Sequence, residues 1–177
     1  MNQIEMERLE ARRLSAGNVV GVLLEQHAQI RELCETVGKS TGSVRQAAFD
    51  ELRALLAVHE AGEQEVLRPV SRQVLGEKVP AAHSEEEREI ERLLVELELL
   101  DPAGDRFAQR FARFAGVLAE HVVSEEDEEF PAVRAGRPDA DLDEMGVRLL
   151  AGRLELAEWP VGTFAVLLDR ARTVYRA

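Results

Sequence analysis

The sequence is poor in most of the residues that chemistry draws on: 177 residues carry one Cys, one Tyr, one Trp and four His. A single cysteine makes no internal disulfide, which fits a reducing compartment, and a cytoplasmic protein is expected. No apolar run approaches the ~18 residues of a membrane span, and residues 1–15 lack the apolar stretch of a secretory signal. Basic residues are outnumbered, 22 against 34 acidic, for a net charge of −12. Phosphate contacts need a basic face, so no nucleic-acid partner is expected. The phosphate-binding GxxxxGK[ST] and the nucleophile-elbow GxSxG are both missing. His59-Glu60-Ala61-Gly62 runs into Glu63 instead of a second histidine, which excludes an HExxH zinc protease.

Strand-like alternation is also absent, and Gly and Pro fall at punctuation points rather than every ten residues. The expected class is all-α. We read an N-terminal arm over 1–17, long helices near 18–38, 44–73, 80–100 and 105–133, a linker from 134, and two shorter helices near 143–158 and 161–176 split by Trp159-Pro160. The arm carries three acids and three bases, and residues 134–177 carry seven of each. All of the net charge therefore sits on 18–133, which marks those four helices as the functional unit and 134–177 as a C-terminal helical extension.

Each long helix has an apolar stripe of 3-4 spacing, and each stripe passes through one histidine where a leucine would be expected. The stripes run Val20, Leu23, His27, Ile30, Cys34; then Leu52, Leu55, His59, Glu63, Val66; then His83, Glu87, Ile90, Leu94; and Phe107, Phe111, Phe114, Leu118, His121, Glu125. Three of the histidines have a Glu four residues on, which sets imidazole and carboxylate side by side on one helical face. His83 lies 18 residues before Asp101, and His121 lies 17 after Gly104, so an antiparallel bundle brings both to one level. His59-x3-Glu63-x5-Pro69 repeats as His121-x3-Glu125-x5-Pro131, a pseudo-twofold pattern.

Four imidazoles and three carboxylates do not share a dry core without compensation. No Lys or Arg lies on the stripes to pair with them, so bound cations are the expected solution. Imidazole with carboxylate, and no thiolate set, suits iron, manganese or zinc. Seven ligands suit two ions rather than one.

At His27, His59-Glu60-x2-Glu63, His83-x3-Glu87 and His121-x3-Glu125 the sequence resembles the hemerythrin-like, HHE cation-binding family, over about residues 20–133. The resemblance implies an up-down-up-down four-helix bundle around a non-haem di-iron centre with an oxo or hydroxo bridge. One iron would take His83, Glu87 and His121, and the other His27 and His59 with an open position. Glu63 and Glu125 would bridge, with Glu126 the alternative to Glu125. Dioxygen, peroxide or nitric oxide would bind at the open position. Oxygen carriers of the family look to have a histidine where this chain has Glu87. A carboxylate there favours the ferric pair, and so peroxide turnover of a catalase or peroxidase kind, or redox or gas sensing, over oxygen transport. The other readings are an iron-buffering or iron-sensing module without turnover, and an interaction bundle with a zinc site. Manganese and zinc rank behind iron, and the C-terminal helices are a candidate homodimer face.

The remaining residues receive plainer expectations. Cys34 packs, with a redox-sensing thiol the alternative; Glu60 points to solvent, with a supporting or substitute ligand the alternative; and the run 125–129 is mostly a solvated face containing one ligand. The Phe107, Phe111, Phe114 stripe is core. Tyr175, far along the chain, has no evident part in the chemistry. Residues three before the histidines are Leu24, Leu56, Pro80 and Leu118, which excludes the Glu-x-x-His pattern of ferritin-like di-iron proteins.

Overall fold

A computed structural model describes residues 2–156 and 162–177, and among these every regular element is helical. The expected break at Trp159-Pro160 lies outside the described residues. The arm carries α1 (Gln3–Ala11), closed by a capping box between Asn2 and Glu5. Helix α2 (Val19–Lys39) starts where the Asn18 side chain accepts from the Val20 N–H. Gly42, at φ 57°, turns the chain into α3 (Gly42–Gly62), a backbone conformation that favours glycine. Helix α4 (Arg68–Leu75) ends at Gly76, again with φ positive at 74°. Then follow α5 (Lys78–Glu98), α6 (Asp105–Ser124), α7 (Phe130–Gly136), α8 (Asp139–Leu156) and α9 (Phe164–Arg176).

The second and fourth helices, expected to be continuous, are each interrupted by one π-helical turn, Glu63–Leu67 and Glu125–Glu129. The cause is the repeated proline. Pro69 and Pro131 have no N–H to donate, and each ring would crowd the carbonyl four residues back. The chain widens by one residue instead. The Arg68 N–H reaches back to the Glu63 carbonyl and the Phe130 N–H to the Glu125 carbonyl.

Four legs make the bundle: α2, α3 with α4, α5, and α6 with α7. Their apolar stripes meet in one core that includes Leu23, Leu52, Leu56, Ile90, Leu94, Phe114 and Leu118. At one end Phe49, Phe107, Phe111 and Phe114 form an edge-to-face and stacked aromatic cluster. The N-terminal helix α1 lies on α2, α8 lies on α2 and α3, and α9 lies on α3 and α5. The C-terminal pair therefore covers the outer face of the bundle with buried Leu142, Leu149, Phe164, Leu168 and Tyr175. Close approach depends on glycine: a Cβ on Gly152 would overlap the Tyr175 ring, and one on Gly146 would overlap the backbone at Gly17. Among the described residues no helix is long and apolar enough to cross a membrane.

Candidate metal centre

All seven residues of the expected set are buried in the bundle and lie together at one level. His27, His59, Glu63 and Glu125 offer ligand atoms within 4.8 Å of one another, as do His83, His121 and Glu125, and Glu63, Glu87, His121 and Glu125. Glu63 and Glu125 belong to the groups of both halves, where a bridge would be. The imidazoles come in two edge-to-face pairs, His27 with His59 at 4.9 Å between ring centroids and His83 with His121 at 5.8 Å.

The orientation of the rings is informative. Every Nδ1 is held: His27 by Glu126 at 2.8 Å, His59 by the Gln26 amide oxygen at 2.9 Å, and His83 and His121 by the same Glu86 oxygen at 3.2 and 2.9 Å. Every Nε2 is buried and makes no hydrogen bond. An oxygen acceptor at Nδ1 places the proton there and turns the Nε2 lone pair inward, as metal-bound histidines require. The inward nitrogens face carboxylates: His27 Nε2 is 3.6 Å from Glu125 Oε2, His121 Nε2 is 3.3 Å from Glu125 Oε1, and His59 Nε2 is 3.6 Å from Glu63 Oε2. Four orphaned imidazole nitrogens converging on carboxylates fit divalent or trivalent first-row metals.

Of the three residues that fix the rings, sequence reasoning missed Gln26 and Glu86 and named Glu126 only as an alternative bridge. Gln26 and Glu126 reach their histidines from other helices, and Glu86 serves one on its own helix and one across, so no within-helix spacing identifies the set. Glu126 grips the outer edge of His27, whereas Glu125, fully buried, faces inward.

Three expectations need correction. First, a cation does lie among the carboxylates. Arg68 is 1% exposed, and it donates to Glu87, to Glu129 and, at 3.2 Å, to Glu125 Oε1. On an uninterrupted α-helix Arg68 would leave the stripe that holds Glu63. The π-turn keeps a residue five positions on at the same face. Second, Glu60 is buried with neither carboxylate oxygen hydrogen-bonded, and its charged neighbours are Glu87 and Glu91 on α5, His121 and Glu125 rather than water. Third, the acidic run is less solvated than expected: Asp127 and Glu128 are exposed, but Glu129 is buried with Glu125 and Glu126 is nearly so. The second π-turn brings them inward together.

The packing of α9 also brings Tyr175, distant in sequence, against Gly62 beside Glu63, where its hydroxyl donates to the Leu149 carbonyl. Cys34 is half-buried, and burial pushes its thiol up to about 12, which suits packing rather than thiol chemistry.

The electrostatics of the metal-free site follow from crowding. Burial, then the Glu125 charge, drives Glu63 well above the carboxylate range. Glu60 rises well above it through burial and Glu87. For Glu125 burial is outweighed by His121, the His27 hydrogen bond and Arg68, and it stays ionised well below that range. Burial would lower His121, yet Glu125 and the Glu86 hydrogen bond hold it at about 9. His59 goes well below its usual value because of burial and its cationic neighbour His27. Protons thus share the carboxylate cluster with Arg68 in the metal-free chain.

Comparison with known proteins bears on the family and the fold. The family pattern described as hemerythrin HHE cation binding domain matches residues 18–133. A crystal structure of a hemerythrin HHE cation-binding domain-containing protein from Mycobacterium kansasii superposes with a TM-score of 0.72 at 24% identity, covering 90% of this chain and 98% of that one. A protein of Nostoc sp. named DNA nickase is 24% identical over 142 residues, which is 80% of this chain. The chain spans only 40% of the length of that relative.

Proposed function

The chain belongs to the hemerythrin HHE cation-binding domain family, and from that premise we propose that it is a non-haem di-iron protein that turns over hydrogen peroxide. The observation that carries this reading is the set of four fixed imidazoles whose unpartnered Nε2 atoms converge on Glu63 and Glu125. His27 and His59 would hold one ion, His83, Glu87 and His121 the other, and Glu63 and Glu125 both. When bound, two iron ions supply Lewis-acid and one-electron redox capacity at an open coordination position.

The residues of the chain supply the rest. Gln26, Glu86 and Glu126 hold the ring tautomers, so that little reorientation is needed when ligands engage. Phe130 stacks on His27 at 5.3 Å and gives the His27/His59 half an apolar wall, which suits a small neutral ligand such as peroxide, dioxygen or nitric oxide. Glu87 places an anionic oxygen where an imidazole would be neutral, and harder anionic ligands favour the more oxidised metal. That choice favours peroxide over reversible dioxygen carriage. Disproportionation converts two molecules of hydrogen peroxide into two of water and one of dioxygen, and it needs no outside reductant.

The test is metal analysis and an optical spectrum of the purified protein, with peroxide decay followed on an oxygen electrode. Two irons per chain, and one dioxygen released per two peroxides consumed at catalytic protein levels, are expected. Iron loading without peroxide loss would replace this reading with iron buffering or sensing. A colourless zinc protein would defeat both.

A further inference from the structure

The two halves of the centre share the spacing His-x3-Glu-x5-Pro, and the residue just before each proline differs in charge. Five residues after Glu63 stands Arg68, and five residues after Glu125 stands Phe130. Each opens the helix that follows a π-turn, so each is delivered to the centre by the same backbone device. Resting on the di-iron reading, we propose that Arg68 makes the two metal positions unequal: it is a resident counter-cation of the His83/His121 half, which must release Glu87 and Glu125 before the second ion binds.

The contacts are weighted toward one half. Arg68 donates through one nitrogen to Glu87, a carboxylate found only in the groups of the second half. The same nitrogen is 3.2 Å from Glu125 Oε1, the oxygen that faces His121, whereas Oε2 faces His27. The other half has Phe130 stacked on His27, and its nearest approach to Arg68 is the longer one of 3.9 Å to Glu63 Oε2, the oxygen that faces His59. Glu129, fully buried, pairs with the other Arg68 nitrogen and belongs to none of the candidate metal groups. It gives the guanidinium a partner to keep once Glu87 and Glu125 turn to metal. A buried charge that lost every partner would be strongly unfavourable, so Glu129 makes the exchange feasible. Arg68 is thus a positioning residue. It keeps the carboxylates of the second half together before loading and fixes the order in which the ions enter, with the His27/His59 position first.

The experiment is titration of the metal-free full chain with ferrous iron under anaerobic conditions, with bound iron counted after equilibrium dialysis. Wild type takes two ions in separate steps, the second at least about tenfold weaker. His27→Ala removes the tight step, and His83→Ala the weak one. Arg68→Met ends the competition for Glu87, a charge-assisted contact, and tightens the second ion by about tenfold or more with a smaller change in the first. Glu129→Gln acts in the opposite direction: Arg68 is left with only the ligand carboxylates, and the second ion weakens. A merely structural role would loosen binding in both variants, so the opposite signs discriminate. Should Arg68→Met fail to fold, the pair Arg68→Met/Glu129→Leu removes both charges together, and the same tightening is required. An unchanged or weaker second step in Arg68→Met, or in the pair where the single variant does not fold, overturns the proposal, as do two ions of equal affinity in wild type. A wild-type chain that binds no iron at all is a different result and defeats the di-iron reading itself.

Discussion

Gln26 and Glu86 make the same kind of contact with an imidazole Nδ1, but at very different burial, and their removal should not cost the same. Gln26 is 1% exposed and is the acceptor for His59 at 2.9 Å. Gln26→Leu leaves that N–H with no partner and no route for water, at a cost of about 1–3 kcal/mol. For a chain of this size each kcal/mol lowers Tm by about 2–4 °C, so the metal-free protein should melt roughly 2–12 °C lower. The Glu86 side chain is 41% exposed. In Glu86→Ala solvent reaches the vacated positions at His83 and His121, and the loss should stay under about 1 kcal/mol although two contacts go. Metal affinity should follow the same order. Fixing ligand orientation is worth about 10–100-fold, with Gln26→Leu near the upper end at the His27/His59 position and Glu86→Ala near the lower end at the other. The assays are thermal melts followed by circular dichroism and equilibrium dialysis against ferrous iron. If Glu86→Ala lowers Tm or iron affinity as much as Gln26→Leu does, burial does not govern these contacts and the argument fails.

Four further outcomes follow from the same geometry. Metal binding should release protons and strengthen with pH: His121 holds its proton up to about 9, above its usual 6.5, so affinity should climb across pH 7 to 9 and level off beyond, as read by dialysis at stepped pH. In the metal-free chain the same shift stabilises the fold below about 6.5 and is lost as pH rises through 9, so its melting temperature should drift the other way over that range. His121→Ala should lose more iron than Glu87→Ala by elemental analysis, because His121 lies beside the shared Glu125 and belongs to two of the candidate groups, whereas Glu87 belongs to one. Gly152→Ala should cost about 1–3 kcal/mol by forcing a methyl into the Tyr175 ring, lowering Tm while leaving iron content unchanged.

The seven proposed ligands were legible because they obey the one rule a helix enforces locally: every third or fourth residue shares a face. That rule placed His27, His59, His83 and His121 on inward stripes, and their Glu partners beside them. It failed wherever the backbone departed from it. Pro69 and Pro131 were visible, and their equal distance from Glu63 and Glu125 was visible too. What an α-helical period does not convey is that a proline is accommodated by a π-turn rather than a kink or a stop. One extra residue in the turn moves every later side chain by about a quarter of the helix circumference. Arg68 and Glu129 therefore arrive in the core although the stripe excludes them. Glu60 was lost for a different reason: its neighbours Glu87, Glu91 and His121 come from other helices, and no local pattern says which face a distant helix will cover. The two failures meet at the same place. A sequence that shows only ligands predicts carboxylates awaiting metal, whereas the folded chain already holds a cation among them, and its position five residues beyond Glu63, opposite Phe130, is what makes two nearly repeated halves chemically unequal.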